Sequence, residues 1–542
     1  MTSKTISIRK IIKEWSSYKI PTIQRGFVWN EERIKDFFES IIKGYPVGSV
    51  ILWSPKDEFP HVPLCDSNTN ERDSNVYILD GQQRLTSIFL AYHNWEITRN
   101  GEKIEANPIY YNPSTKTFFI SSSKNAPKMG VNLSLILRAF SGDSKAHREL
   151  IEKYGEYYEI LSDLATKILD DYEIPYYKIE KNIGYDEVAE IFVKVNSAGV
   201  KIDNMHMFFS LFIGKLPHEL SDVKDMILEI YKKYDAQFGL KFETILRFIF
   251  HNLGAKQNQI TDKRKFKKAI SDVWSKYKEK PEEIKNIILD SGNSIGLTLK
   301  FLENELGLAR SEFIPSQNAL LPLFKYFYIN KNKFKTLDDI PETEKKKLAK
   351  WFILSSYAGR YSKNSKIEQD MNIIKDGNFP IDELIRKLEN EDNFTINRFM
   401  RDKNNFAESL KVQGRKYMML LMIALFKNNA RDWTVQNKLV FEIVKNREYH
   451  RHHIFPKEYL LEFDITEKDL VDDIGNITII NKTINQSINS NDPKEYLQDY
   501  RNYLAEHFIP ENEELWSIEK FKEFLKQRRE KIYDTVYNFY LR

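Results

Sequence analysis

The sequence predicts a multidomain protein of the α+β class. Its 542 residues exceed what one hydrophobic core normally serves, so roughly two to four domains are expected. Short β-prone runs next to helical stripes occur in the N-terminal part and again near residues 449–496, whereas the region between shows helical periodicity almost throughout. We therefore divide the chain into an N-terminal domain over residues 1–215, a helical linker or recognition region over 216–430, and a C-terminal domain over 431–542.

The composition excludes several classes of protein. The chain has 82 Lys and Arg residues against 78 Asp and Glu, a net charge of +4, so a nucleic-acid partner is allowed but would need local basic patches. A single cysteine, Cys65, excludes an intrachain disulfide framework and a cysteine-based zinc site. The longest apolar run, residues 417–426, is far shorter than the roughly 20 residues that span a bilayer. Because residues 1–17 also lack a signal-like apolar core, we expect a cytoplasmic protein that does not bind membranes.

The first helix is predicted directly after Asn30, a favoured N-cap residue. Apolar residues then repeat at helical spacing until Gly44 ends the helix, and residues 48–53 form a predicted strand. The segment over residues 186–202 contains another predicted helix, which ends in a polar turn, Asn-Ser-Ala-Gly, at residues 196–199. In the middle region, residues 223–230 and 417–426 are predicted helices, and the second of them is predicted to be buried.

A tight turn is predicted between a strand over residues 76–79 and a helix that follows it. The N-terminus of such a helix presents backbone amides to an anion, and Gly81 lets a ligand approach the chain closely. Arg84 adds a planar cation suited to phosphate, so the turn is a candidate nucleotide site. Alternatively, Asp80 and Gln83 form a capping box and the turn is structural. The residues of the turn leave both interpretations open.

The C-terminal domain has a strand, loop, strand and helix order with polar residues at its joints. The first strand carries His452 and His453, and Asn476 and Asn485 follow in the second half of the pattern. Neighbouring side chains on a strand face opposite sides, so the two histidines are predicted to have different roles. One imidazole would bind a divalent cation together with an asparagine carbonyl, and the other would act as a general base.

This segment resembles an HNH endonuclease, whose fold is called ββα-metal. The resemblance implies that His452 and Asn485 bind a divalent metal, Mg²⁺ or Mn²⁺ above all, that His453 is the general base, and that Asn476 holds the loop and the base in place. The nine-residue step from Asn476 to Asn485 matches the family. His452 stands where Asp is commonest, and the paired CxxC zinc clips of some HNH proteins are missing, so the metal's identity is left open.

Three N-terminal motifs also occur in the order that a known family shows. They read Gln-Arg-x-x-Val-Trp, then Asp-Gly-Gln-Gln-Arg, then Phe-x-x-x-Asn-Ser-x-Gly, and together they resemble the ParB/sulfiredoxin-like domain of the GmrS type. That domain opens GmrSD-family modification-dependent (Type IV) restriction proteins and SspE-like proteins, in which a GmrD-type HNH domain follows. The resemblance implies binding and hydrolysis of a nucleoside triphosphate (NTP). The turn has no cysteine, so sulfiredoxin chemistry is not expected. The implied nucleotide-binding residues are Gln24, Arg25, Asp80, Gly81, Gln82, Gln83, Arg84 and Asn196.

Together, the two resemblances predict a metal-dependent DNA endonuclease of prokaryotic anti-phage defence, gated by NTP binding or hydrolysis and directed at modified phage DNA. Two other functions stay open: a non-cleaving, ParB-like, nucleotide-switched DNA-binding protein, and a toxin nuclease that damages host DNA. The sequence also leaves open whether the protein forms a homodimer. Basic clusters at residues 263–268, 345–347 and 526–529 are interpreted as solvated helix faces rather than DNA contacts.

Overall fold

The computed structural model describes residues 2–14, 18–21, 26–54, 61–66, 76–99, 102–122, 128–179, 204–213, 216, 220, 222–375, 377–407, 409–411, 414–434 and 437–542. The chain forms two compact units, Met1–Leu216 and Pro217–Arg542, so the boundary that we placed after residue 430 falls inside the second unit. Each unit combines helices with small sheets, which confirms the α+β class. Among these residues, no helix combines the length and apolar character needed to cross a bilayer.

The first unit is organised around a six-stranded mixed sheet. The strands of this unit are β1 (Thr2–Ser7), β2 (Tyr18–Pro21), β3 (Val50–Trp53), β4 (His61–Pro63), β5 (Val76–Asp80), β6 (Glu96–Arg99), β7 (Glu102–Glu105), β8 (Ile109–Asn112), β9 (Thr117–Ile120), β10 (Val131–Asn132) and β11 (Glu173–Ile179). The large sheet has the order β1-β11-β3-β5-β2-β4, in which β11 with β3 and β2 with β5 are parallel and the other pairs are antiparallel. This order places β5 in the interior of the sheet.

The helices of this unit bury apolar residues in its interior. They are Ile8–Glu14, Glu31–Ile42, Gln82–Tyr92, Leu133–Ala139, Ser144–Tyr154, Tyr158–Thr166 and Asn204–Ile213. The Asn30 side chain accepts a hydrogen bond from the Arg33 backbone N–H, which confirms the predicted start of Glu31–Ile42. The predicted strand over 48–53 is also confirmed, although it begins only at Val50. The predicted helix over 186–202 lies outside the described residues.

The second unit is mainly helical. Its helices are Val223–Phe238, Phe242–Asn252, Gln257–Thr261, Phe266–Tyr277, Glu282–Leu306, Leu321–Ile329, Glu342–Ala358, Asn364–Ile373, Ile381–Asp392, Ile396–Asp402, Arg415–Lys427, Val440–Lys445, Lys457–Glu462, Lys468–Val471, Lys482–Ile488, Pro493–Tyr496, Arg501–Leu504 and Phe521–Val536. The predicted helices over 223–230 and 417–426 are therefore confirmed. In Arg415–Lys427, every residue from Met418 to Leu425 is buried, as predicted.

Two strands complete this unit, β12 (Tyr449–His453) and β13 (Ile477–Asn481), and they pair antiparallel. The middle helices and the C-terminal residues share one packed interior. The hydroxyls of Tyr357 and Tyr533 lie 2.6 Å apart, and Lys403 forms a 2.9 Å ion pair with Asp534. These contacts join the helical region directly to the last long helix, Phe521–Val536.

The interpretation of residues 526–529 as a solvated face is wrong for two of them. The side chains of Arg528 and Arg529 are 0% and 2% exposed. Arg529 forms an ion pair with buried Asp473 at 3.1 Å, and Arg528 donates to backbone carbonyls. Arginine can be buried when it is paired or bonded to carbonyls, so the charge pattern alone did not reveal the environment of these two residues.

Candidate functional site

The antiparallel pair β12–β13 brings the predicted site residues of the second unit together. His452 lies opposite Thr478 and His453 opposite Ile477, and helix Lys482–Ile488 follows β13 directly. The predicted strand, loop, strand and helix order is confirmed. Because side chains alternate along β12, the two imidazoles face opposite sides: the His452 residue is 2% exposed, and the His453 side chain is 14% exposed.

His452 is held by two side chains. Its Nδ1 lies 2.9 Å from Oδ1 of Asn485, and its Nε2 lies 3.0 Å from the Tyr496 hydroxyl. That hydroxyl donates its own proton to the Ile454 carbonyl at 2.6 Å, so its oxygen accepts the Nε2–H of the imidazole. Burial lowers the pKa of His452 to about 3, which keeps the ring neutral. Nδ1 is the ring atom that faces the Asn485 amide.

This arrangement fits the metal site that the sequence implies. Nδ1 of His452 and Oδ1 of Asn485 face each other at 2.9 Å, close enough for one cation to contact both atoms. The amide nitrogen of Asn485 lies 3.2 Å from Nδ1 of His450, which orients its oxygen toward His452. An imidazole nitrogen and an amide oxygen are suitable ligands for a divalent cation. Within the described ranges no group of three or more His, Cys, Asp or Glu side chains could hold a metal, so water and substrate oxygens would complete this site.

His453 is oriented by a carboxylate on the opposite side of the strand. Its Nε2 lies 2.8 Å from Oδ1 of Asp472, and Nζ of Lys457 lies 2.8 Å from the same oxygen. The hydrogen bond from His453, together with Lys457, lowers the pKa of Asp472 to about 2, so this group is a carboxylate. The imidazole donates from Nε2, which leaves Nδ1 as the basic atom. A partly exposed histidine held in one tautomer is suited to accept a proton from water.

Asn476 fastens the chain that follows His453. Its Oδ1 accepts from the backbone N–H of Phe455 at 2.8 Å, and its Nδ2 donates to the carbonyls of Phe455 and Val471 at 3.1 and 2.9 Å. The residue is fully buried, so its amide contacts backbone and not substrate. Asn476 is therefore a positioning residue that ties the end of β12 to the loop carrying Asp472.

Buried charged side chains also stabilise the loop that carries Asp472. The Asp473 carboxylate accepts from the backbone N–H of Gly475 at 2.7 Å and pairs with Arg529. The Arg528 guanidinium is fully buried and donates to four backbone carbonyls, those of Ile474, Gly475, Ile477 and His507. The last helix thus fixes the geometry of both the loop and β13.

In the first unit, the predicted turn links β5 to helix Gln82–Tyr92. Gly81 is the N-cap with φ of 93°, a conformation that favours glycine, and no side chain caps the helix. The capping-box interpretation is therefore wrong. Asp80 instead accepts a 3.3 Å hydrogen bond from Nη2 of Arg84, and the same guanidinium donates to the carbonyls of Val47 and Ser49 at 2.9 and 2.6 Å.

The neighbouring glutamines are also directed at the protein. Oε1 of Gln83 accepts from the Val28 backbone N–H at 2.9 Å, and its Nε2 donates to the Gly26 carbonyl at 3.1 Å. Gln82 is 4% exposed. The side chains of the turn thus hold two adjacent segments, residues 26–28 and 47–49, against the start of the helix.

Comparison with known proteins identifies the N-terminal region. Residues 7–213 match the family model of the GmrSD restriction endonuclease N-terminal domain. The predicted resemblance of this region to the GmrSD family is confirmed. The chain is also 21% identical, over 546 aligned positions, to an uncharacterized protein of Methanocaldococcus jannaschii, and the alignment covers 94% of this chain and 88% of that protein.

The GmrSD-type region brings five of its predicted nucleotide-binding residues, Asp80 to Arg84, into one turn. Gln24, Arg25 and Asn196 lie outside the described residues. Gln83 and Arg84 already bind backbone atoms, and their nucleotide role stays a prediction.

Sequence reasoning missed three groups of the C-terminal site: Asp472, Tyr496 and Arg528. The Asp-Asp pair at 472–473, directly before Ile-Gly-Asn, is the one local signal that could have drawn attention to the carboxylate. Tyr496 and Arg528 carry no such signal, because only the fold places them near β12.

Proposed function

We propose that the protein is a metal-dependent DNA endonuclease of prokaryotic anti-phage defence. One observation carries the proposal: β12 presents His452 toward Asn485 on one face and His453 toward Asp472 on the other. The antiparallel strand pair followed by helix Lys482–Ile488 supports the assignment of this element to the HNH, or ββα-metal, class. The similarity of residues 7–213 to the N-terminal domain of a restriction endonuclease supports DNA as the substrate.

His453 is the general base in the proposed reaction. Its Nδ1 takes a proton from water as the water oxygen bonds to phosphorus and the bond from phosphorus to the 3′-oxygen breaks. The Asp472 carboxylate, 2.8 Å from Nε2, stabilises the imidazolium that forms. His452 and Asn485 would hold Mg²⁺ or Mn²⁺, which when bound supplies positive charge to the phosphate. Asn476 keeps the base and its carboxylate in register through the backbone.

The second part of the proposal is nucleotide control by a ParB/sulfiredoxin-like N-terminal domain. The turn from Asp80 to Arg84, with Gln24, Arg25 and Asn196, would bind an NTP whose binding or hydrolysis gates cleavage of modified phage DNA. The match to the GmrSD N-terminal domain supports this part. The helix start after Gly81 supports it too, because free backbone amides at a helix N-terminus attract phosphate.

The test is cleavage of supercoiled plasmid and of modified phage DNA with Mg²⁺ or Mn²⁺, with and without each NTP. We expect wild-type protein to cut one of these substrates and the His453→Ala variant to leave it intact. Arg84→Ala should remove the response to nucleotide while the C-terminal unit keeps its thermal stability. Full metal-dependent cleavage by His453→Ala would refute the assignment of the base.

A host-damaging nuclease would share the chemistry and differ in its trigger. Integrity of host DNA in cells that carry the protein, measured with and without phage infection, separates that alternative. The non-cleaving switch is separated by turnover: NTP hydrolysis and DNA binding without any cut product, in every metal tested, would favour it.

A further inference from the structure

The second unit contains a basic cleft that none of the site residues described above line. Its volume is about 1200 Å³, and it lies between helices Val223–Phe238 and Glu282–Leu306 and residues 445–447. Seven of its lining side chains are basic and two are acidic. Both acidic side chains are already paired, Asp290 with Lys331 at 2.7 Å and Glu303 with Lys445.

The five remaining cations have no carboxylate partner in the described part of the chain. They are Lys233, Lys300, Arg310, Lys335 and Arg447. Lys300, Lys335 and Arg447 are exposed, so their charges face the solvent that fills the cleft. Concentrating positive charge in a concave surface raises the local potential and attracts polyanions.

Two of these cations converge at the end of one helix. Nη1 of Arg310 donates to the Gln237 carbonyl at 3.1 Å, and Nη2 of Arg447 donates to the Ala236 carbonyl at 3.4 Å. Burial and the neighbouring charge of Arg447 lower the pKa of Arg310, and its Nε is buried without a hydrogen-bond partner. Two guanidinium groups side by side, with donors to spare, match the oxygens of a phosphate.

The cleft adjoins the strand that carries the proposed nuclease residues. Arg447 precedes β12 by two residues, and the ring of Tyr449 lies 5.6 Å from that of Phe313, with Arg451 over the same Phe313 ring at 5.8 Å. Arg447 and His453 are six positions apart in the sequence, a distance of at most about 20 Å along an extended chain. At 3.4 Å per base pair this corresponds to roughly six base pairs of B-form DNA.

We propose that this basic cleft binds the phosphate backbone of double-stranded DNA and holds the duplex beside β12. The inference rests on the proposed function for its choice of DNA as the ligand. The basic residues of the cleft belong to none of the clusters at residues 263–268, 345–347 and 526–529. Lys300 and Lys335 are the informative positions, because Arg310 and Arg447 also cap helix Val223–Phe238 and their loss would disturb folding.

The experiment compares two double variants. The cleft variant carries Lys300→Glu and Lys335→Glu, and the control variant carries Lys278→Glu and Lys522→Glu. Lys278 and Lys522 are exposed and lie outside the cleft, so the two double variants carry the same change in net charge. Binding of a labelled duplex is measured by fluorescence anisotropy in EDTA at several salt concentrations, so that no cutting occurs. Thermal unfolding of each variant is followed in parallel.

We expect the cleft variant to bind at least about tenfold more weakly, with a salt dependence shallower by roughly one to two, since each neutralised phosphate contributes about 0.9 to the slope. The control variant should bind like wild type. Equal weakening in both variants, unchanged binding in the cleft variant, or absence of duplex binding by wild type would each overturn the inference. The inference would also be overturned if the cleft variant lost the binding of NTP and kept the binding of the duplex.

Cleavage assays separate this inference from the proposed function. If wild type cuts DNA and the cleft variant binds it normally, the cleft assignment fails while the nuclease assignment stands. If no DNA is cut by any variant but the cleft variant alone loses duplex binding, the cleft assignment stands and the nuclease assignment fails.

Discussion

The turn in the first unit and the strand pair in the second use similar polar residues in different ways. Gln83 bonds backbone atoms through both ends of its amide, and Arg84 bonds the carbonyls of Val47 and Ser49 through its two terminal nitrogens. His452 and His453 instead contact side chains, Asn485 and Tyr496 for His452 and Asp472 for His453, and Nδ1 of His453 is left for a ligand. The difference shows that residue type and spacing locate a candidate site, whereas the count of satisfied hydrogen-bonding atoms shows what is left for a ligand.

The largest expected effect is loss of the base. His453→Ala should lower DNA cleavage by about 10²- to 10⁴-fold, because proton transfer to a positioned histidine is removed. Single-turnover cleavage with Mg²⁺ or Mn²⁺ measures it. Duplex binding and the thermal unfolding midpoint should stay near wild type, since His453 is at the surface end of the strand. A rate within threefold of wild type would remove His453 from the reaction.

Loss of the orienting carboxylate should cost less. Asp472→Asn should slow cleavage by roughly 10- to 10³-fold, because an amide cannot stabilise the imidazolium and can donate to Nε2, which favours the wrong tautomer. The pH–rate profile should change as well as the rate. Asp469→Asn, an exposed position in the same segment, is the matched control. If both variants cut at the wild-type rate, the 2.8 Å contact is without catalytic consequence.

Replacing Arg84 tests the first unit. Arg84→Met should reduce the free energy of unfolding by about 2 to 3 kcal/mol, because the carbonyls of Val47 and Ser49 lose charged hydrogen bonds. Urea unfolding followed by tryptophan fluorescence measures the change, with exposed Arg33→Met as the control. Unchanged stability combined with lost NTP binding would show that Arg84 serves the ligand alone, and the contrast between the two regions would disappear.

The smallest effect concerns His507, a residue of the second unit whose two ring nitrogens are both hydrogen-bonded. Nδ1 lies 2.7 Å from the Thr478 hydroxyl and Nε2 lies 2.8 Å from the Arg431 carbonyl. Burial lowers the pKa of His507 to about 4. Because the unfolded chain binds the proton more tightly, stability should fall as the pH drops below the unfolded pKa of about 6.5.

Between pH 7.5 and 5.5 this residue should cost about 1.3 kcal/mol of unfolding free energy. Urea unfolding at both pH values, for wild type and for His507→Gln, measures the contribution. The variant should lose that part of the pH dependence. An identical pH dependence in the two proteins would mean that His507 does not titrate on unfolding.

Local patterns predicted the elements and one feature of the site. The helix after Asn30, the strand over 76–79 and the opposite orientation of His452 and His453 follow from capping and from alternation along a strand, and all are observed. The partners of the histidines could not be predicted, because Asp472 and Tyr496 lie 19 and 44 residues from the groups that they contact. The burial of Arg528 and Arg529 was missed for the same reason: charge patterning reports residue type and not tertiary environment.

The geometry of the site depends on the register in which β12 pairs with β13. His452 faces Asn485 only while it lies opposite Thr478, and a slip of one residue would exchange the positions of the two imidazoles. Insertions in the turn between helices Lys457–Glu462 and Lys468–Val471 would leave that alignment intact, whereas one extra residue within β12 would reverse it. The protein should therefore tolerate an added residue in that turn and lose the site when one is added within β12, only a few positions away.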